Sequence, residues 1–512
     1  MFIKVSGAAV QGIDAYIVTI EASTSRGIRF FLVGLPDSAV KESHERIISA
    51  FHVNGYKFPS CQIIINMSPA DIRKEGAAYD LPLAIGIMAA AGNLNIEPLA
   101  HYVIMGELSL DGTLLPVKGA LSMAIRARDE GYKGIILPIQ NAPEAAVIEG
   151  LEVYGASNIR QVVDLLNGAP GHIQKLERQT DSFKSDTPVA YADFIDVKGQ
   201  NAVKRALEVA ASGGHNLIMI GPPGSGKSMM ARALPSILPP LTEEESIETT
   251  RIHSVAGFTG YGAALISERP FRHPHHTISN VALTGGGNNA QPGEISLAHN
   301  GILYLDELPE FTRCALEVLR QPLEDRSIVI SRAKYRVEYP ASFMLVASMN
   351  PCPCGYYNHP SKECHCTPAT IERYLGKISG PLMDRFDIQC EIQPVTFEDM
   401  SSEQSRESSA VIRERVIAAR RIQAARFIGE KGIYCNAQID SRMLRKYAMA
   451  EPSAIRILGE AMNRLNLSAR AYDRILKVAR TIADMEKSRT ILPAHIAEAI
   501  GYRSLDRASW GK

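Results

Sequence analysis

Apolar residues recur in two registers along this chain. Over the first third, short runs at 15–20, 30–33, 62–66 and 134–137 have the length and β-branched content of strands. They alternate with stretches at 37–53 and 115–131 whose apolar positions follow a helical period. The alternation predicts one α/β unit over residues 1–167. Residues 81–92 (LPLAIGIMAAAG) are apolar on every side, which predicts a buried helix. Between 168 and 193 large apolar residues thin out, and GAPGH and QTDSFKSDTP read as a linker. From Ile195 the pattern becomes helix, strand, glycine-rich loop, helix, the entry to a βαβ unit. Further strand signals fall at 301–305 and 342–348. Beyond Pro394 they nearly vanish, and helices are predicted at 403–427, 441–450, 453–467, 471–486 and 493–499. The fold class is therefore α/β, with a second α/β unit over 194–394 and a helical unit over 395–512.

Composition narrows the function classes. The 512 residues are 46% hydrophobic and 21% charged, as in ordinary soluble globular proteins. No apolar run reaches the length of about 20 residues that crosses a bilayer. Residues 1–12 lack the basic start and apolar centre of a secretory signal, so a cytoplasmic protein without membrane contact is expected. Formal net charge is zero and announces no nucleic-acid partner, although the chain from Gln393 onward is richer in basic than in acidic residues. Eight cysteines are too few for a disulfide scaffold in a chain this long.

The most specific chemistry follows the apolar run 216–220. There GPPGSGKS places Gly221, Pro222, Pro223, Gly224, Ser225, Gly226, Lys227 and Ser228 between a strand and a helix that opens at Met229. Glycines let backbone N–H groups curl around phosphate oxygens without a Cβ in the way. Lys227 has the reach for β- and γ-phosphates, Ser228 offers a hydroxyl to Mg²⁺, and the helix directs its positive end at the same anion. ATP and Mg²⁺ are the cofactors this implies. A second run, 301–305, ends in Asp306 and Glu307. With its strand expected next to the P-loop strand, Asp306 would hold Mg²⁺ through water and Glu307 would polarise the attacking water. Asn350, at the end of the run 342–348, can orient that water or simply make the turn before Pro351. Arg385, in SGPLMDRFD, is a surface cation or an arginine finger.

In order, GPPGSGKS, RPFRHPHHTIS, PGEISLAHNGILYLDELPEF, SMNPCPCG and SGPLMDRFD resemble the magnesium-chelatase-like branch of AAA+ ATPases, and within it the ComM/YifB group. The resemblance spans nearly the whole chain. It implies an AAA+ αβα core with a helical lid, assembled as a homo-oligomeric, hexameric ring. It also implies Asn350 as sensor 1, Arg385 as a finger reaching a neighbour's ATP, and Arg470 as sensor 2 of the lid. ComM-like proteins are DNA helicases that drive branch migration during natural transformation, so single-stranded or branched DNA is the implied partner. Residues 74–87 (KEGAAYDLPLAIGI) and 106–121 (GELSLDGTLLPVKGAL) are similar to the Lon proteolytic domain, of ribosomal-S5-like fold. Ala78 stands where Lon has its nucleophilic serine and Leu121 about where it has its lysine, so no peptidase is expected; scaffold or DNA contact is the role left.

Three clusters remain. Cys352, Cys354, Cys364 and Cys366 form C-x-C-x₉-C-x-C, a spacing that can furnish a tetrahedral zinc site, with His359 or His365 as alternative ligands, or leave reduced free thiols in a loop. His273, His275 and His276 are open to DNA or subunit contact, packing, or metal. Arg413, Arg415, Arg420, Arg421 and Arg426 line one predicted helix, as a solvated face or as phosphate contacts. Two rival functions stand beside a DNA motor: a chelatase motor subunit, and an ATPase that remodels proteins.

Overall fold

The computed structural model describes residues 1–169, 173, 175–177, 192–259, 265–287, 290–332, 335–394, 407–430 and 432–503. Its first strands are β1 (Phe2–Gln11), β2 (Asp14–Ser25), β3 (Phe30–Val33), β4 (Gln62–Ser68) and β5 (Tyr102–Ile104). A short pair, β6 (Glu107–Leu108) and β7 (Leu114–Leu115), precedes β8 (Gly134–Pro138), β9 (Glu152–Ala156) and β10 (Lys175–Leu176). Eight of them form one sheet in the order β10-β9-β8-β5-β1-β2-β4-β3.

The four strands expected from the first third fall within β2, β3, β4 and β8. Strand β1 alternates clearly only over Phe2–Val5, where Ile3 and Val5 are buried; beyond them Gly7, Ala8 and Ala9 are buried with little side chain to mark a strand. The helix expected over 37–53 is two, Ser38–Lys41 and Ser43–Val53. That expected over 115–131 starts only at Ala120, because Leu115 pairs with Glu107 and Gly119 adopts a left-handed conformation. Helix Asp80–Ala90 is buried at every residue, as its unbroken apolar run requires. Part of the expected linker is structured: β10 pairs antiparallel with β9, and Lys175 bonds Glu152 at 3.0 Å. Residues 178–191 of that stretch lie outside the described residues.

A second sheet is wholly parallel. It comprises β11 (Leu217–Ile220), β12 (Phe271–Arg272), β15 (Ile302–Leu305), β18 (Met344–Met349) and β19 (Ile388–Glu391), ordered β12-β15-β18-β11-β19. Two hairpins complete the strands: β13 (Gly285–Gly286) with β14 (Gln291–Pro292), and β16 (Ser327–Arg332) with β17 (Tyr335–Pro340). Strands β11, β15 and β18 are buried throughout, as a parallel sheet covered on both faces must be. One expectation is corrected here. The acidic-pair strand β15 is not next to the P-loop strand β11; β18 lies between them, pairing with both. Parallel strands joined by crossovers need not neighbour in sequence order, and here the insertion brings Asn350 beside the loop as well.

Helices Ser409–Arg426, Ser441–Tyr447, Pro452–Leu465, Ala469–Met485 and Pro493–Gly501 make up the carboxyl-terminal part. Residues 403–406 of the first expected helix lie outside the described residues. No described helix is long and apolar enough to cross a membrane.

The two sheets meet along helix Glu243–Ala256. Arg251 donates to the Ile13 carbonyl at 2.9 Å and to Asp14 at 2.7 Å, and Ser254 donates to Glu144 at 3.0 Å. Leu265 sits in the hydrophobic core of the first sheet. The β1–β2 turn fits only because residue 12 is glycine: its φ is 65°, and a Cβ there would lie 2.3 Å from Val337 of β17. Glu144, buried at this junction, has its carboxyl pushed up to about 6 by burial.

Candidate nucleotide site

Strand β11 ends at Ile220 and the chain turns through Gly221–Gly226 into helix Lys227–Ala233. Gly221 is held against β19: a Cβ on it would meet the Ile392 carbonyl oxygen at 2.6 Å. Gly224 and Gly226 have positive φ and open space where a Cβ would stand, and no side chain caps the helix. The Ser225 hydroxyl is buried without a hydrogen-bond partner. A loop with open glycines, an uncapped helix start and an orphaned hydroxyl fits a triphosphate well.

Lys227 folds back over this loop. Its Nζ donates to the carbonyls of Gly221 at 2.7 Å and Pro222 at 2.8 Å, and to Asn350 Oδ1 at 3.2 Å. Burial pushes its ammonium down to about 8, against the pull of Asp306 and Glu307. Phosphate oxygens would restore the charge, so ATP binding takes up a proton when the pH exceeds that value. ATP affinity is expected to hold below pH 8 and to fall above it, by up to about tenfold per unit. A titration with Mg·ATP from pH 7 to pH 9.5 measures this, and Lys227→Arg should flatten the profile.

The predicted metal ligands stand together. Ser228 Oγ donates to Asp306 Oδ2 at 2.8 Å, and Ser348 donates to the other carboxylate oxygen. Tyr304 OH lies 3.0 Å from Ser348 Oγ. A hydroxyl beside a carboxylate is an oxygen donor set that suits Mg²⁺. Glu307 is 60% exposed, adopts a left-handed backbone (φ 52°) and lies with Oε2 3.8 Å from His276 Nδ1.

Arg385 and Arg470 lie elsewhere. Strands β11 and β19 run parallel with Leu217 opposite Ile388 and Ile220 opposite Glu391. Arg385 precedes β19, and its carbonyl accepts from Asn216 at the start of β11 at 3.0 Å. The P-loop leaves the other end of that strand, about 13 Å away at ordinary strand rise. The Arg385 guanidinium is buried, donating to the carbonyls of Arg320 at 3.2 Å and Pro381 at 2.5 Å and pairing with Glu324. Arg470 lines a cavity of about 390 Å³ at this same edge, together with Arg269, Arg326, Arg474 and Lys477. Neither arginine reaches its own chain's loop.

Three family models cover most of the sequence. "Magnesium chelatase, subunit ChlI" matches residues 193–400, "Subunit ChlI of Mg-chelatase" matches 20–141, and "Magnesium chelatase, subunit ChlI C-terminal" matches 406–503. Two relatives align end to end. The uncharacterized protein YifB of Salmonella typhimurium is 43% identical over 98% of this chain and 96% of its own length. Competence protein ComM of Haemophilus influenzae is 42% identical over 98% of this chain and 97% of its own. The chain belongs to the ComM/YifB family of magnesium-chelatase-like AAA+ proteins.

Other ComM/YifB features can now be placed. Lon protease 2 of Bacillus subtilis is 29% identical over 140 residues, 27% of this chain and 25% of that protein. In this family member, Ala78 and Leu121 supply neither nucleophile nor base, and Leu121 is fully buried in its helix. The four cysteines converge: their sulfurs lie within 4.8 Å of one another, with Cys352 3.3 Å from Cys354 and 3.7 Å from Cys364, and Cys354 3.6 Å from Cys364. His359 is not among them, since its Nδ1 accepts from the Ser361 and Lys362 amides.

The histidines, open at the sequence level to three readings, stand beside the acidic pair. The His273 ring lies 4.7 Å from that of Tyr304, and His276 approaches Glu307. Only the β12–β15 pairing makes this visible. The basic helix is largely spent on its own protein. Arg413 and Arg420 donate to the carbonyls of Leu238 and Ala211, Arg415 pairs with Glu208 and Glu407, and Arg426 pairs with Asp484; Arg421 is exposed.

Proposed function

We propose that this chain is a Mg²⁺-dependent ATPase working as a homo-oligomeric ring, a hexamer, that translocates on DNA in the cytoplasm and migrates branched intermediates. The observation that carries the ring is the division of one site between two ends of one sheet. Gly221–Ser228 bind the triphosphate, Asp306 and Ser228 hold Mg²⁺, Glu307 polarises water and Asn350 orients it, all at the carboxyl end of the strands. Arg385 and Arg470 serve the ATP of the next subunit from the amino end, with Glu324 released from Arg385 when a γ-phosphate arrives. Residues 1–167, extended by β10 from within 168–193, form a Lon-like unit without peptidase activity, followed by the ATPase core 194–394 and lid 395–512. The DNA part rests on the likeness to ComM, in whose resemblance a branch-migration helicase is implied.

ATP turnover measured with and without single-stranded and branched DNA tests the reading, followed by strand displacement on the same substrates. Stimulation with displacement is expected. Turnover indifferent to DNA at any length would overturn the motor and return the chelatase and protein-remodelling readings.

The four thiols are read as a structural zinc site. Four sulfurs about 2.3 Å from a tetrahedral Zn²⁺ stand about 3.8 Å apart, close to the separations above, and Cys352 Sγ also accepts the Tyr357 amide at 3.3 Å. Metal analysis is expected to find about one zinc per chain in protein purified without chelator.

A further inference from the structure

The cysteine loop does not hang free of the nucleotide site. It is spliced between Asn350, whose side chain accepts from Lys227, and helix Pro368–Leu375. From the other side it lies flat on the P-loop. Gly355 has φ 83°, and a Cβ on it would stand 2.5 Å from Pro223 Cδ and 2.8 Å from Pro223 Cγ. Between the two loops a cavity of only about 40 Å³ remains, lined by Gly221, Pro222, Pro351, Tyr357 and His359.

Residues 352–366 contain turns and bends but no helix or strand. A segment of fifteen residues without a ladder of backbone hydrogen bonds must offset the entropy of its ordering elsewhere, and four metal–thiolate bonds are what this loop has to offer for that. Its neighbour is glycine-rich and has few contacts of its own: no atom approaches the Cβ positions of Gly224 and Gly226. The P-loop is therefore walled by β19 at Gly221 and by the cysteine loop at Pro223.

We propose that the metal-loaded cysteine loop is a brace for the P-loop, so that nucleotide binding by this chain depends on an ion that never touches the nucleotide. This rests on the zinc reading of the four thiols. With the ion bound, Gly355 holds Pro223 in place and the loop meets the triphosphate already shaped. Without it, the brace disorders and ATP binding must also supply the ordering of two loops.

The test uses the full chain and a fluorescent ATP analogue with Mg²⁺. Zinc is stripped with a zinc-selective chelator that leaves Mg²⁺ in place, and binding is measured before, after, and on return of zinc. Stripping is expected to weaken binding by about tenfold or more, with recovery when zinc returns and with the secondary structure of the two sheets retained by circular dichroism. Gly355→Asn separates brace from ion. Asparagine tolerates a left-handed backbone better than other side chains, and its Cβ pushes on Pro223. This variant is expected to keep its zinc and lose affinity to a similar degree. Zinc-loaded protein that binds the analogue equally well after stripping overturns the brace and leaves the zinc site standing. Protein that never contains zinc, yet binds tightly, overturns both.

Discussion

Lys227→Ala is expected to abolish nucleotide binding, whereas Glu307→Gln binds ATP with near-normal affinity and scarcely hydrolyses it. The two residues stand at one site but act on different steps. Lys227 is the side-chain cation of the P-loop, held over it by the Gly221 and Pro222 carbonyls and by Asn350. Removing it leaves two carbonyl oxygens facing the phosphates with no charge to reconcile them. Glu307 is exposed at the end of β15, near His276. A glutamine there keeps the shape and cannot accept the proton of water, so hydrolysis should fall by about 10²-fold or more while binding stays. Equilibrium titration and single-turnover hydrolysis separate the effects. Wild-type affinity in Lys227→Ala would remove the site from Gly221–Ser228 altogether.

The second large effect belongs to Arg385. Arg385→Ala should leave ATP binding intact and lower turnover by about 10³-fold or more, the cost of losing a finger charge in phosphoryl transfer. Because this arginine and the P-loop leave opposite ends of β11 and β19, the variant still offers a whole loop to a neighbour. Glu307→Gln still offers a whole finger. Mixing the two inactive proteins creates interfaces at which an intact Arg385 faces an intact Glu307, and part of the ATPase should return. A protein that failed merely because it misfolds, having lost the buried pair with Glu324, would restore nothing. Mixed oligomers shown by co-purification, without recovered ATPase at any ratio, would place Arg385 in a structural role.

Much of the nucleotide site was legible in the sequence because its signals are local. Strand, GPPGSGKS and helix are contiguous, and so are the run 301–305 and its acidic pair. What sequence could not supply is order across a sheet. That β18 separates β15 from β11, and that His276 stands by Glu307, depend on pairings between residues tens of positions apart. Strand β1 escaped for a different reason: beyond Ile3 and Val5 its buried positions carry glycine and alanine, which a hydrophobicity pattern barely registers. The arginines of 413–426 looked like a free face, since spacing along a helix says nothing about carbonyls and carboxylates that other elements bring to it. The cysteine cluster was visible as spacing, but its contact with Pro223 was not, because a glycine carries no side chain to advertise what it touches.

Helix Glu243–Ala256 belongs to the ATPase core by sequence, yet it hands Ser254 to Glu144, Arg251 to Ile13 and, through the chain that follows, Leu265 to the other unit's hydrophobic core. Units that share core residues are not independent: each loses apolar burial when the other opens, so opening one costs the other stability. A chain cut after residue 167 would leave Leu265 in water and a cleft in the amino-terminal core, with a buried Glu144 deprived of its serine. The Lon-like unit is thus part of what supports the fold of the unit that carries the P-loop.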